Sequence, residues 1–349
     1  MSPLRPDQPL AIYMEGALGE RPGKMGYGVL RYSPNPIACV IDSRYVGQDA
    51  YEFCGIRRPG RKAPVVGTVA EAIERGAQVF VLGIAPGGGS IPPEWFGSID
   101  EAVAAGLDIV NGLHDRLGPR YPRLAPGQFV WDIRVEPANL TVGTGAARQL
   151  SNRRVLMVGT DMAVGKMTAG LEIERVARES GLRSAFVATG QIGITITGRG
   201  VPLDAIRLDF ASGAIEREVM NRSEAELVVI EGQGSLLHPA SSATLPLIRG
   251  SCPTHLVLCH RAGMETLLRV PWVRIPPLVQ LARLYEDVAE AVGTYYRPRC
   301  CAIALDTSNL GEAEAERVIL ETEADTGLPV ADPIRQGPER LLEAILAAS

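Results

Sequence analysis

Residues 159–168 read G-T-D-M-A-V-G-K-M-T. They follow R-V-L-M-V at 154–158, a short apolar run with the character of a buried strand. Residues 165–180 come next, with Ala169, Ile173 and Val176 at helical spacing on one face, and Gly181 stops the helix. A strand, a glycine-bearing turn and a helix in that order aim backbone N–H groups and the positive end of the helix at one anion. Lys166 adds a point charge over phosphate oxygens. Gly159, Thr160, Asp161, Gly165, Lys166, Met167 and Thr168 are therefore the expected ligand-binding loop. Five residues separate Gly159 from Gly165, one more than in the common phosphate-loop pattern. The hydroxyl residue that normally follows the lysine and binds Mg²⁺ is replaced by Met167, and Thr168 lies about 100° further round the helix. A thioether is a poor ligand for a hard cation. The loop predicts phosphate binding without magnesium chemistry, and no metal site is expected.

Other segments end at the same edge. Residues 226–230 read as a strand, followed by Glu231-Gly232-Gln233-Gly234-Ser235. In open α/β sheets ligands sit beyond the carboxyl ends of the strands, so Glu231 is expected to face the loop. Strand 184–188 leads into Thr189-Gly190-Gln191, where Gln191 is positioned to bind substrate through its amide. Asp204 and Asp209, in P-L-D-A-I-R-L-D-F, are candidate site carboxylates, Asp204 serving equally well as a helix cap. His238 is either a proton carrier or a structural histidine.

The same alternation fills the chain. Strands are expected at 10–14, 37–41, 78–84, 107–110, 129–133, 255–259 and 301–305, and helices at 69–75, 92–105, 277–292, 312–323 and 338–348, with a turn at 85–90. Strands alternating with helices predict a mostly parallel sheet. Residues 137–154 are rich in Gly, Asn, Thr and Arg, lack periodicity, and read as a boundary. The expected class is α/β, with an N-terminal Rossmann-like domain over 1–145 and a C-terminal P-loop NTPase-like domain over 146–349. In the first half Gly26 and Gly28 are too sparse for a dinucleotide fingerprint, and no clear strand precedes them. His114 and Asp115, in G-L-H-D, read as turn residues more readily than as cleft-lining ones.

At 349 residues and net charge −5, the chain has room for two domains and no broad attraction for nucleic acid or an anionic membrane. Its six cysteines form no C-x-x-C pair, which speaks for scattered thiols in a reducing compartment rather than a zinc cluster. The first residues lack a signal-peptide pattern and no apolar run is long enough to span a membrane, so a cytoplasmic protein is expected. A small-molecule substrate is the expected partner, and a homo-oligomer is compatible with the sequence.

Two resemblances are local. T-D-M-A-V-G-K and the E-G-Q-G segment are similar to dethiobiotin synthetase, a P-loop ligase, which keeps ATP with Mg²⁺ as an alternative ligand. Residues 67–111 resemble the CoA-binding domain of succinyl-CoA synthetase. A third resemblance spans nearly the whole chain. Its segments are A-P-G-G-G, G-L-H-D, V-G-T-D-M-A-V-G-K-M-T, F-V-A-T-G-Q, D-A-I-R-L-D-F-A-S-G-A-I-E, E-G-Q-G-S-L-L-H-P and A-D-P-I-R-Q-G at 331–337. On these the chain resembles a two-domain P-loop family long described as of unknown function, whose characterised members are D-glutamate N-acetyltransferases that use acetyl-CoA. The resemblance implies acetyl-CoA as co-substrate, its phosphates held by the loop. Acetyl transfer needs a base, donors for an oxyanion and alignment of amine with thioester. Glu231 is the first candidate base, ahead of Asp209 and His238, with N–H groups around 232–234 as oxyanion donors. Arg199, Arg207 and Arg261 are candidates to hold substrate carboxylates, and Gln191, Asp204, Gln233 and Ser235 are grouped with the substrate contacts.

Overall fold

The structure, a computed structural model, describes residues 3–86 and 88–348. Gly87 in the expected 85–90 turn, Met1 and Ser2 of the N-terminal stretch, and Ser349 lie outside the described residues. The chain divides into two compact units, Met1–Glu136 with Gln191–Ala205, and Pro137–Gly190 with Ile206–Ser349. The expected boundary near residue 145 differs from this division in two places. The stretch from Pro137 is part of the second unit, and Gln191–Ala205 is part of the first.

The first unit runs β1 (Leu10–Tyr13), α1 (Lys24–Tyr32), β2 (Ile37–Ile41), α2 (Ala50–Phe53), β3 (Val65–Val66), α3 (Val69–Glu74), β4 (Val79–Leu82), α4 (Phe96–Ala104), β5 (Asp108–Asn111) and β6 (Val130–Asp132). The strands pair in parallel in the order β3-β2-β1-β4-β5-β6. This is the doubly wound Rossmann order, whose switch point lies between β1 and β4. L-A-I-Y and V-F-V-L are buried throughout, as central parallel strands must be. Tyr13 packs edge-on against Trp95, ring centroids 4.4 Å apart, and closes the core beneath α4. Thr68 caps α3 by accepting from Glu71 N at 3.2 Å, and the Glu71 carboxylate returns to Gly67 N at 2.9 Å.

The segment around Gly26 corrects the sequence reading: it does follow a strand, β1, and it is the helix α1. A Cβ on Gly26 would lie 2.3 Å from Met14 Sδ and 2.9 Å from its Cγ, so the buried Met14 side chain would have to move. The polar groups that a dinucleotide would use at the switch point are bonded within the unit. Gly26 N donates to Gly83 O at 2.8 Å and Ala85 N to Pro22 O at 2.7 Å. The Asp42 carboxylate, at the end of β2, accepts from Leu18 N and from the Arg44 guanidinium.

The second unit holds β7 (Arg153–Gly159), α5 (Lys166–Glu179) and β8 (Ser184–Val187). The chain then enters the first unit with α6 (Gln191–Thr197) and returns as α7 (Leu208–Met220), β9 (Leu227–Ile230), α8 (Thr244–Ser251), β10 (His255–Arg261), the hairpin β11 (Thr266–Leu267) and β12 (Val270–Arg274), α9 (Leu278–Glu290), β13 (Arg299–Asp306), α10 (Glu312–Thr326), β14 (Val330–Ala331) and α11 (Glu339–Ala347). Its main sheet is parallel, ordered β14-β13-β10-β7-β9-β8. β7 lies between β10 and β9, so the loop after it opens at the middle of the sheet's carboxyl edge.

Candidate functional site

The phosphate loop is built from β7 outward. Arg154 to Gly159 are buried, and the chain turns at Gly165, whose φ of 87° is left-handed backbone that favours glycine. The Lys166 side chain folds back over the loop and donates to Asp161 O at 2.7 Å. Burial pushes its ammonium down to about 8, against partial compensation from Cys259, Asp161 and Glu231. An incoming anion would raise it again by stabilising the charged form.

Neighbours brace the loop. The Asp161 carboxylate accepts from Met162 N at 2.6 Å and from Leu268 N at 2.8 Å, tying the loop to the β11–β12 hairpin. Thr160 Oγ1 shares a 3.0 Å hydrogen bond with His260 Nδ1, and burial pushes His260 down to about 4, so the ring is neutral near pH 7. Tyr285 OH donates to Gly159 O at 2.8 Å and accepts from Leu236 N at 3.0 Å. Arg261, a candidate for a substrate carboxylate, donates from Nε to Asp306 at 2.8 Å and from Nη2 to Ala163 O at 3.1 Å. In this arrangement it supports the loop apex.

The E-G-Q-G-S segment follows β9 and lies against β7. A Cβ on Gly232 would fall 1.6 Å from Met157 O and 2.9 Å from Lys166 Cδ, so only glycine fits. Glu231 Oε2 accepts from Thr189 N at 2.8 Å and Gly190 N at 3.1 Å, and Thr189 Oγ1 donates to Glu231 O at 2.9 Å. Gln233 Nε2 donates to Thr189 O. Ser235 Oγ donates to Thr160 O at 3.0 Å. These bonds lock the ends of β7, β8 and β9 together. His238 is buried, and its Nδ1 accepts from Ala240 N at 3.1 Å. With Nδ1 accepting, the ring's N–H is on Nε2, which has no partner among the described residues.

The remaining candidates lie elsewhere. Asp209 is exposed in the first turn of α7, and Arg207 is exposed with its guanidinium 4.7 Å from the Phe210 ring centroid. Gln191, Arg199 and Asp204 belong to the first unit. Gln191 is buried, Arg199 is exposed, and Asp204 pairs with Arg134 at 3.0 Å. Sequence reasoning missed Arg134, because nothing in I-R-V-E marks it by motif or spacing. The Asp115 carboxylate accepts from Ile91 N at 2.7 Å, a bond to a segment 24 residues away in the chain. The A-D-P-I-R-Q-G segment caps the sheet: Asp332 accepts from Thr307 N at 2.9 Å, and Arg335 donates to Leu310 O at 2.9 Å. All six cysteines are free thiols and burial raises every one, Cys259 to about 12. Among the described residues no three His, Cys, Asp or Glu side chains gather as metal ligands, and no helix is long and apolar enough to cross a membrane.

This architecture has relatives. The DUF1611_C P-loop domain, described as a domain of unknown function, matches residues 141–342, and the DUF1611_N Rossmann-like domain matches residues 43–136. A D-glutamate N-acetyltransferase of Tritonibacter scottomollicae is 34% identical over 98% of this chain and 99% of its own length. One from a Pseudoalteromonas species is 35% identical over 79% of this chain and 83% of its own. The crystal structure of a DUF1611 family protein from Anabaena variabilis superimposes with a TM-score of 0.94 at 48% identity, over 98% of this chain and 100% of that one. The chain belongs to the DUF1611 family, and the names of its curated relatives make it an enzyme, an N-acetyltransferase.

Proposed function

We propose that the chain transfers the acetyl group of acetyl-CoA to the α-amine of D-glutamate, with the phosphate loop holding phosphates of the donor. The observation that carries this reading is Lys166, a buried ammonium closed over a braced loop that lacks the hydroxyl needed for magnesium. Coenzyme A supplies phosphates, and acyl transfer requires no phosphoryl chemistry. The amine loses a proton and attacks the thioester carbon. The C–S bond breaks, and the sulfur leaves as the CoA thiol after taking up a proton, with N-acetyl-D-glutamate as the other product. Glu231, oriented by two backbone N–H groups, accepts the amine's proton in this reading. The N–H groups of the Gly232–Gly234 turn and the Nε2–H of His238 are the donors available to the tetrahedral oxyanion. The raised thiols favour direct attack over an acyl-cysteine intermediate.

The test is acetyl transfer from acetyl-CoA to D-glutamate and other acidic amino acids, with and without excess EDTA. Equal rates in both are expected. Absence of transfer to any amine, together with Mg²⁺-dependent ATP cleavage stimulated by a small carboxylate, would establish the ligase alternative instead.

A further inference from the structure

The carboxyl edge of the first unit's sheet carries a second group of polar side chains that the phosphate loop does not use. Arg134 follows β6, with a side chain only 13% exposed, and its Nη2 pairs with Asp204 at 3.0 Å. Its Nε is buried and has no partner among the described residues. Gln191 opens α6, is 5% exposed, and leaves its buried Oε1 likewise without a partner. Gln191 lies over Gly112, at the end of β5, where an added Cβ would sit 3.4 Å from Gln191 Cβ. Two residues on, His114 donates its backbone N–H to Gly89 O at 2.7 Å. A Cβ on Gly89 would fall 2.3 Å from His114 Cδ2 and 3.0 Å from Arg134 Nη1, and its φ of 69° also favours glycine. The imidazole and the guanidinium thus converge over one bare stretch of backbone.

Leaving a buried guanidinium N–H and a buried amide oxygen unpaired is costly and rare in native proteins. Both are explained if they await one ligand carrying an anionic and a cationic group. Resting on the acetyl-transfer reading, we propose that this cluster is the cradle for the acceptor's zwitterionic α-amino acid group. Arg134 takes the α-carboxylate through its Nε edge, the geometry in which Arg binds a carboxylate through paired N–H bonds. Asp204, about one third exposed, and Gln191 Oε1 take the α-ammonium. His114, exposed at the rim, is the donor nearest the second carboxylate of an acidic amino acid.

The test uses full-length enzyme. Arg134→Gln should raise KM for D-glutamate about 10-fold or more, the scale of a lost charge-assisted bond, and leave KM for acetyl-CoA within about twofold. Arg134→Lys, which keeps the charge and loses the fork, should recover only part of the loss. The wild-type enzyme should also discriminate strongly against 4-aminobutyrate, which is glutamate without the α-carboxylate, and Arg134→Gln should lose that discrimination. An unchanged KM for D-glutamate, or an equal rise in KM for acetyl-CoA, would overturn the proposal. If the variants do not fold, wild-type enzyme that binds 4-aminobutyrate as well as D-glutamate in calorimetry would overturn it too. Calorimetry also separates this proposal from the reaction assignment. Arg134-dependent binding of D-glutamate, with glutarate excluded, would uphold the cradle even if no acetyl transfer were found.

Discussion

The Lys166 ammonium is buried against its own loop and donates to Asp161 O, and desolvation moves it from 10.5 to about 8. Between those two values the unfolded chain keeps a proton that the folded chain has released, so this group's contribution to stability rises with pH across the window. Below about 8 both states are charged and the cost of burial is constant. Lys166→Met removes that cost together with the anion contact. Two results are expected. Ligand-free, the variant is at least as stable as the wild type at pH 7, and the wild type gains on it in urea melts between pH 8 and 10.5. At pH 7 the variant binds acetyl-CoA about 10- to 150-fold more weakly. A stability difference that stays flat with pH, or unchanged affinity, would show that this lysine is not a charge held for an anion. Lys166 was legible in the sequence because strand, glycines and helix surround it. Arg134 was not, because its significance lies in a pairing with Asp204 seventy residues away.

Central strands and α5 could be read from apolar runs and helical spacing, since burial on both faces leaves a continuous pattern. Three of the helices that escaped carry glycines in their interior. α1 contains Gly26 and Gly28, α7 contains Gly213, and α8 contains Gly250. Helix propensity penalises each of them. Their reason is tertiary: a Cβ on Gly213 would lie 1.8 Å from Thr141 O, and one on Gly250 would lie 2.3 Å from Ser212 O. The aperiodic stretch read as a boundary is in fact a strap laid across α7. Its Thr144 N and Oγ1 and its Ala146 N all donate to the buried Glu216 carboxylate at 2.8–3.1 Å. Glu216→Ala should therefore cost about 2–3 kcal/mol of stability, since it strands several donors at once. Denaturant unfolding is the check, and a loss under about 0.5 kcal/mol, the scale of an ordinary surface substitution, would reduce the strap to a surface loop.

At the scale of the whole molecule, the sequence shows two βα alternations separated by an aperiodic stretch, and that suggests one cut. The chain crosses between the units three times: at Glu136/Pro137, at Gly190/Gln191 and at Ala205/Ile206. No local pattern reports the excursion of 191–205, because a short helix and a turn look alike on either unit. Its consequence is thermodynamic. Residues 3–136 contain every strand of the first sheet, but they lack α6, which packs against α1, and Asp204, which pairs with the half-buried Arg134. A fragment ending at residue 136 would expose the face of α1 that α6 covers and leave Arg134 without its carboxylate, a buried charge without compensation. It should accordingly be less stable than the same residues in the intact chain, with a lower and broader thermal transition and a tendency to associate. A synthetic 191–205 peptide has to bind as a separate molecule, so it should restore stability only at high concentration. A fragment that is monomeric and melts as cooperatively as the full chain would mean that the excursion is decorative. The expected loss would mean that the first unit is completed by the second half of the sequence, so that the two units fold as coupled parts of one chain.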